Sequence, residues 1–221
     1  MQTQPRNAFA LKAIQDQGAL PVFLIRHGQT LWNKERRFLG RSDIPLDEVG
    51  REQARKLANA LADTPIRRLY SSPLSRAMQT ADAIGSELNL APETVNGLTE
   101  LNQGELEGME GRLLADRYPD FHRDWVHDPT HVRIPGGETL AECQERAVES
   151  IHGVLRQLEP TDPVAFVSHK VAISGIICDC LGLPPRFNMM VGQSNTAINV
   201  LAFKNGRLTL CRLNDAAHLN V

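Results

Sequence analysis

The stretch PVFLIRHGQT, residues 21–30, decides how this chain is read. Val22 to Ile25 is a short, unbroken apolar run, the pattern of a strand buried on both faces. It stops on Arg26, His27 and Gly28. A cation and an imidazole at the end of a buried strand are either a capping accident or the place where the chemistry sits. In open α/β sheets, ligands bind beyond the carboxyl ends of the strands. The question is whether other strands deliver reactive side chains to the same edge.

Working outward, strand-like and helix-like segments alternate. From Asp47 to Ala62, the apolar positions Val49, Ala54, Leu57, Ala58 and Leu61 keep helical spacing. IRRLYSS (66–72) is a second strand candidate. In the PLSRAMQTADAIGSEL that follows, Ser72 is expected as N-cap and Pro73 at the first helical position. Residues 138–158 repeat Leu140, Cys143, Ala147, Ile151, Val154 and Leu158, an amphipathic helix. PVAFVSH (163–169) is a third buried strand, and VAISGIICDCL after it a buried helix. AINVLAF and RLTLCRL, joined by Lys204-Asn205-Gly206, form a hairpin. The expected fold is a three-layer α/β/α sandwich, with a mostly parallel central sheet and an antiparallel edge.

Residues 1–20 are expected to be an N-terminal arm or short helix, and 21–221 a single domain. The stretch 102–135 lacks a clean period and carries Tyr118, Trp125 and three histidines. It is expected to be an inserted lid. His122, His127 and His131 tempt a metal reading, but Pro129 would break the helix that pairs the last two. They are taken as lid histidines.

Composition narrows the function. The chain has 221 residues, enough for one large core, with 42% hydrophobic and 23% charged residues, as in an ordinary globular protein. The formal net charge of −2 advertises neither nucleic acid nor an anionic membrane, so any attraction for an anion must be local. The first twenty residues hold no long apolar segment, so no secretory signal or membrane span is expected there. Cys143, Cys178, Cys180 and Cys211 lack metal-knuckle spacing and are expected as free thiols in a reducing cytoplasm.

The other strands do deliver. Arg76 falls in the first turn of the helix after the second strand, His169 ends the third, and Glu100 follows the weaker segment ETVNGLTEL. Two arginines, two histidines and a carboxylate thus meet at the expected crevice. Arginine offers forked donors matched to phosphate oxygens. A cation in a helix's first turn is badly placed unless an anion joins it. Gly28 is expected to let backbone approach that anion. A neutral imidazole is a competent nucleophile, and a carboxyl group a competent general acid.

With those residues in place, LIRHGQTLWNKERRFLGRSDIPLDEVGREQA closely resembles the N-terminal signature of the histidine phosphatase superfamily, the phosphoglycerate mutase-like family. YSSPLSRAMQTA resembles its second arginine motif, LTELNQGELEG its acid motif and VAFVSHKVAI its second histidine motif. PGGETLAECQERA and QSNTAINVLAF also match family stretches. The resemblance covers about residues 21 to 213, in the family's motif order. It implies a phosphoglycerate mutase-like fold, with His27 as the nucleophile that becomes phosphohistidine. It further implies Arg26 and Arg76 as phosphoryl clamps, His169 as a further donor and Asn33 as a phosphoryl contact. Glu100 would protonate the leaving oxygen and then deprotonate water. No metal or other cofactor is implied. Gln29 and Thr30 stay open between ordinary turn or cap residues and ligand contacts. Lys170 departs from the family's usual glycine and is expected either to contact the substrate or to point to solvent.

Three functions follow from the resemblance: a metal-independent phosphomonoesterase for a small phosphorylated metabolite, a bisphosphoglycerate-dependent mutase, or a non-catalytic phospho-ligand binder. LNQGELEGMEGRLLADRYPD looks more like the phosphatase branch. Small sugar phosphates, phosphoglycerate-like acids, phosphoserine and α-ribazole phosphate are candidate substrates. Lys170 with Arg112, Arg123 and Arg133 of the lid favours one bearing a carboxylate. An unpaired edge in the hairpin invites a homodimer.

Overall fold

The structure is a computed structural model that describes residues 8–220. Six strands form one sheet: β1 (Leu20–Arg26), β2 (Arg68–Ser71), β3 (Glu93–Thr94), β4 (Val164–Ser168), β5 (Ile198–Lys204) and β6 (Arg207–Asp215), in the order β3-β2-β4-β1-β5-β6. β1, β2, β3 and β4 pair in parallel; β5 runs antiparallel to both β1 and β6. The hairpin between β5 and β6 turns on Asn205 and Gly206, whose φ angles of 52° and 75° suit a primed turn.

Among the described residues, eight α-helices accompany the sheet: α1 (Ala8–Asp16), α2 (Leu31–Lys34), α3 (Glu48–Leu61), α4 (Ser75–Leu88), α5 (Leu114–Arg117), α6 (Pro119–His127), α7 (Leu140–Leu155) and α8 (Lys170–Cys180). The unbroken apolar run of β1 has a direct cause. Successive side chains point to opposite faces, and both faces are covered. Leu20, Val22 and Leu24 pack with Ala147 and Ile151 of α7 and Ile173 and Ile177 of α8. Phe23 and Ile25 pack with Leu57 and Leu61 of α3 and Ala77, Ala81 and Ile84 of α4. Each such side chain, fully buried, contributes roughly 1.5–3 kcal/mol. Three layers result, as the alternating pattern predicts.

Residues 8–16 are helical, the short helix being one of the two expected forms, and Leu11 and Ile14 are buried against the sheet; residues 1–7 lie outside the described residues. Three local expectations are corrected. α4 starts at Ser75, after Leu74, not at Ser72-Pro73. Ser72 is not its cap, because its hydroxyl bonds His169 Nε2 at 2.7 Å. Asp43 holds that helix start from outside, accepting from Ser75 N at 2.7 Å and Ser75 Oγ at 2.6 Å. Val49 is exposed, and Gly50 takes the inward position on α3. α7 ends at Leu155, which is buried in place of Val154 and Leu158.

The stretch 102–135 folds into two 3-10 turns followed by α5 and α6. α6 ends at His127. Among the described residues, no group of three or more His, Cys, Asp or Glu side chains is placed to hold a metal ion, and no helix is long and apolar enough to cross a membrane. All four cysteines are free.

Candidate active site

Parallel register brings the strand ends level. Arg26 of β1 lies beside Ser168 of β4, and Ser71 of β2 beside Val167. The next residue of each strand therefore emerges at one edge. His27 N donates to Ser168 O at 3.0 Å and Ser72 N to Val167 O at 2.9 Å. β4 is the shared neighbour, so His27 and His169 come within 5.1 Å between ring centroids. Both histidines are buried.

His27 Nδ1 lies 2.6 Å from Gly28 O. A carbonyl only accepts, so Nδ1 carries the proton and Nε2 keeps its lone pair. Burial first, then the guanidinium groups of Arg76 and Arg26, hold the His27 pKa well below its usual 6.5; the Gly28 bond opposes this in part. Burial, Arg76 and His27 act on His169 in the same direction. Both imidazoles are neutral at neutral pH.

The arginines are braced by backbone. Arg26 donates to Gln193 O at 2.6 Å. Arg76 donates to Gly40 O and Ser42 O, each at 2.8 Å. Burial lowers each guanidinium to about 10, with Glu100 opposing, so both stay cationic. Nε of Arg26, Nε of Arg76 and Nδ1 of His169 are buried without a protein partner, and such groups are costly unless something pairs with them. Glu100 sits against the start of α8, accepting from Leu101 N at 2.9 Å, Val171 N at 3.2 Å and Ala172 N at 3.3 Å. Lys170 is half-buried, its pKa lowered by burial and by Arg26.

Arg26, His27, Asn33, Arg76, Glu100 and Lys170 line one cavity of about 320 Å³, and His169, in ring contact with His27, is not among the lining residues. Gly28, Gln29 and Thr30 do not line it. Gly28 is needed for packing, since a Cβ there would lie 2.5 Å from Gly50 O of α3. That replaces the expected close approach to an anion. Gln29 donates to Asp47 at 3.0 Å. Thr30 is the N-cap of α2 and forms a reciprocal capping box with Asn33. With Asn33 Oδ1 accepting from Thr30, its amide NH₂ is what Asn33 offers the cavity.

Several supporting residues escape sequence reasoning. Ser72 bonds His169. Thr80 accepts from Gly28 N at 3.1 Å. Asn195 Nδ2 donates to His27 O at 3.1 Å, and Asn199 links Gln193 to Leu24 O. Arg146, paired with Glu138 at 3.0 Å, donates to the carbonyls of Gly97, Thr99 and Glu100 and so pins the segment carrying Glu100. Polar residues within apolar helices and strands were the available signal, at Thr80 and Asn199.

A parallel-centred sheet with arginines, histidines and a carboxylate gathered at its carboxyl edge defines a phosphoric monoester hydrolase of the phosphoglycerate mutase-like class. The chain belongs to the histidine phosphatase superfamily, branch 1, whose family model matches residues 22–216. It is 31% identical over 198 residues to phosphoserine phosphatase 1 of Hydrogenobacter thermophilus, covering 90% of this chain and 93% of that protein. It is 36% identical over 180 residues to the probable phosphoglycerate mutase GpmB of Yersinia pestis, covering 81% of this chain and 83% of the relative. Among solved structures, a mycobacterial glucosyl-3-phosphoglycerate phosphatase superposes with a TM-score of 0.80 at 27% identity, covering 89% of this chain and 99% of the other.

Proposed function

We propose that this chain is a metal-independent phosphomonoesterase acting on a small phosphorylated metabolite through a phosphohistidine on His27. The observation that carries this reading is the buried, neutral His27, with its Nδ1 proton committed to Gly28 and the guanidinium groups of Arg76 and Arg26 acting on it. In the first step the Nε2 lone pair attacks phosphorus and the ester P–O bond breaks. Glu100 gives its proton to the leaving oxygen. In the second step Glu100 takes a proton from water, the water oxygen attacks phosphorus, and the P–N bond breaks to release phosphate. Arg26 and Arg76, with His169, Asn33 and Lys170, stabilise the phosphoryl charge.

The test is release of free phosphate from p-nitrophenyl phosphate in the presence of EDTA. His27→Ala is expected to abolish it, with no acid-labile phosphoprotein formed, and Glu100→Gln to lower kcat by ~10²–10⁴-fold. Normal turnover by His27→Ala, or strict metal dependence, would overturn the reading. The relative named as a probable mutase supports a second reading, return of the phosphoryl group to a bound sugar acid. Interconversion of 2- and 3-phosphoglycerate, stimulated by the bisphosphate, would favour it.

The reading extends to context. Four free thiols support a reducing cytoplasm, and a net charge of −2 supports neither nucleic acid nor membrane as partner. The open edge of β6 supports a homodimer.

A further inference from the structure

The cavity has a second half made of different material. Beyond the phosphoryl end, its wall includes Phe38, Leu106, Leu114, Phe121, Trp125 and Ile134. Phe121 and Trp125 stand four residues apart on α6, so they share a face, with ring centroids 5.3 Å apart. Neither α5 nor α6 contains a fully buried residue. The protein therefore covers this aromatic face only in part, and the uncovered remainder opens into the same cavity as His27.

The polar groups near it offer little to a hydroxyl-rich ligand. Arg37 is spent on Glu35, Glu110 and Gly108 O. Gln103 Oε1 accepts from Gly40 N. The lid arginines do not supply the expected carboxylate site. Arg112 pairs with Glu110, Arg123 with Asp120 and Asp124, and Arg133 with Glu142, and none of the three lines the cavity. Arg36 and Lys170 are the cations left at the wall. A polyol or sugar moved here would give up water and find few partners. An apolar ring would bury area on both sides.

We infer that the phosphomonoester this site takes has an apolar leaving group, an aromatic or branched-alkyl alcohol lying against the Phe121–Trp125 face. Trp125 is then a specificity-determining residue. The inference rests on the phosphatase reading for its chemistry, but not for its geometry. A cavity of about 320 Å³ has room for a phosphoryl group and a ring system.

The experiment compares 2-naphthylmethyl phosphate with glycerol 3-phosphate. Both are alkyl esters, so leaving-group reactivity does not decide the outcome. The ratio of kcat/KM values is expected to favour the naphthylmethyl ester by about tenfold or more. Trp125→Ala should collapse that ratio and Trp125→Phe restore most of it. Thermal melts confirm that each variant is folded; if Trp125→Ala is not, Phe121→Ala serves in its place. A ratio near one in the wild type, a ratio untouched by removing the aromatic, or a stronger preference for phosphoserine would overturn the inference. A binding measurement separates this from failure of the phosphatase reading. In His27→Ala, calorimetry should show the naphthylmethyl ester binding about tenfold tighter than glycerol 3-phosphate, with a negative heat-capacity change. That result with no turnover by the wild type would sink the phosphatase reading alone. Equal affinities would sink the subsite whatever the turnover.

Discussion

The Gly28 carbonyl decides which nitrogen of His27 is free, and burial, with Arg76 and Arg26, decides when it is free. Because burial, Arg76 and Arg26 hold the His27 pKa well below 6.5, the imidazole is unprotonated throughout the neutral range. Protonation would remove the nucleophile that the proposed mechanism places at His27, so activity should persist on acidification and fall only below pH 6.5. A pH profile of kcat/KM, corrected for the substrate's second phosphate ionisation, checks this. An acid limb at or above 6.5, assigned to His27 by its NMR titration, would contradict it. At this scale Arg26, His27 and His169 were legible because each closes an apolar run, and Arg76 because a first-turn cation is misplaced without an anion. Gly28, Gln29 and Thr30 were not. Their partners, Gly50, Asp47 and Asn33, are set by how α2 and α3 fold back, which no local pattern records. Ser72 misled because serine before proline and a helical run is the usual cap signature.

At the scale of elements, α3 leans on the strand-end loop through two glycines. A Cβ on Gly50 would lie 2.0 Å from Gln29 O, and both obstacles at this contact are backbone. No rotamer change can relieve the clash. Gly50→Ala is expected to cost about 2 kcal/mol, read as a lowered urea midpoint at constant slope. Phosphatase activity should fall with it, since the displaced segment carries the carbonyl that orients His27. Unchanged stability would show that α3 can slide away without penalty. The helices themselves were legible from spacing, their starts less so. Asp47 caps α3 and is itself the expected boundary. Asp43 supports α4 from a different loop and could not be read from helical spacing. The stretch 102–135 was legible only as a break in periodicity. Its short 3-10 turns and half-covered helices bury too little to leave a pattern.

For the whole molecule, two buried neutral histidines tie stability to pH. Their folded pKa values lie below the unfolded 6.5, so the unfolded chain binds more protons once pH drops under that value. The stabilisation is fully present above pH 6.5 and is lost as pH falls toward the folded values. Each histidine can remove up to about 1.4 kcal/mol per pH unit. Thermal midpoints of the ligand-free protein should therefore decline from pH 7 to pH 5, and His27→Gln with His169→Gln should flatten the decline. A midpoint insensitive to pH over that range would contradict the buried neutral state. The layered architecture was legible from the order of strands and helices; the sheet order was not, because pairing depends on contacts distant in sequence. That order has a temporal side. β4 is the partner that β1 and β2 share, yet it is made well after both. On the ribosome, His27 and Arg76 emerge early and stay strangers until that late strand slots between their own. The chain therefore acquires its proposed phosphate site near the end of its synthesis rather than growing it piece by piece.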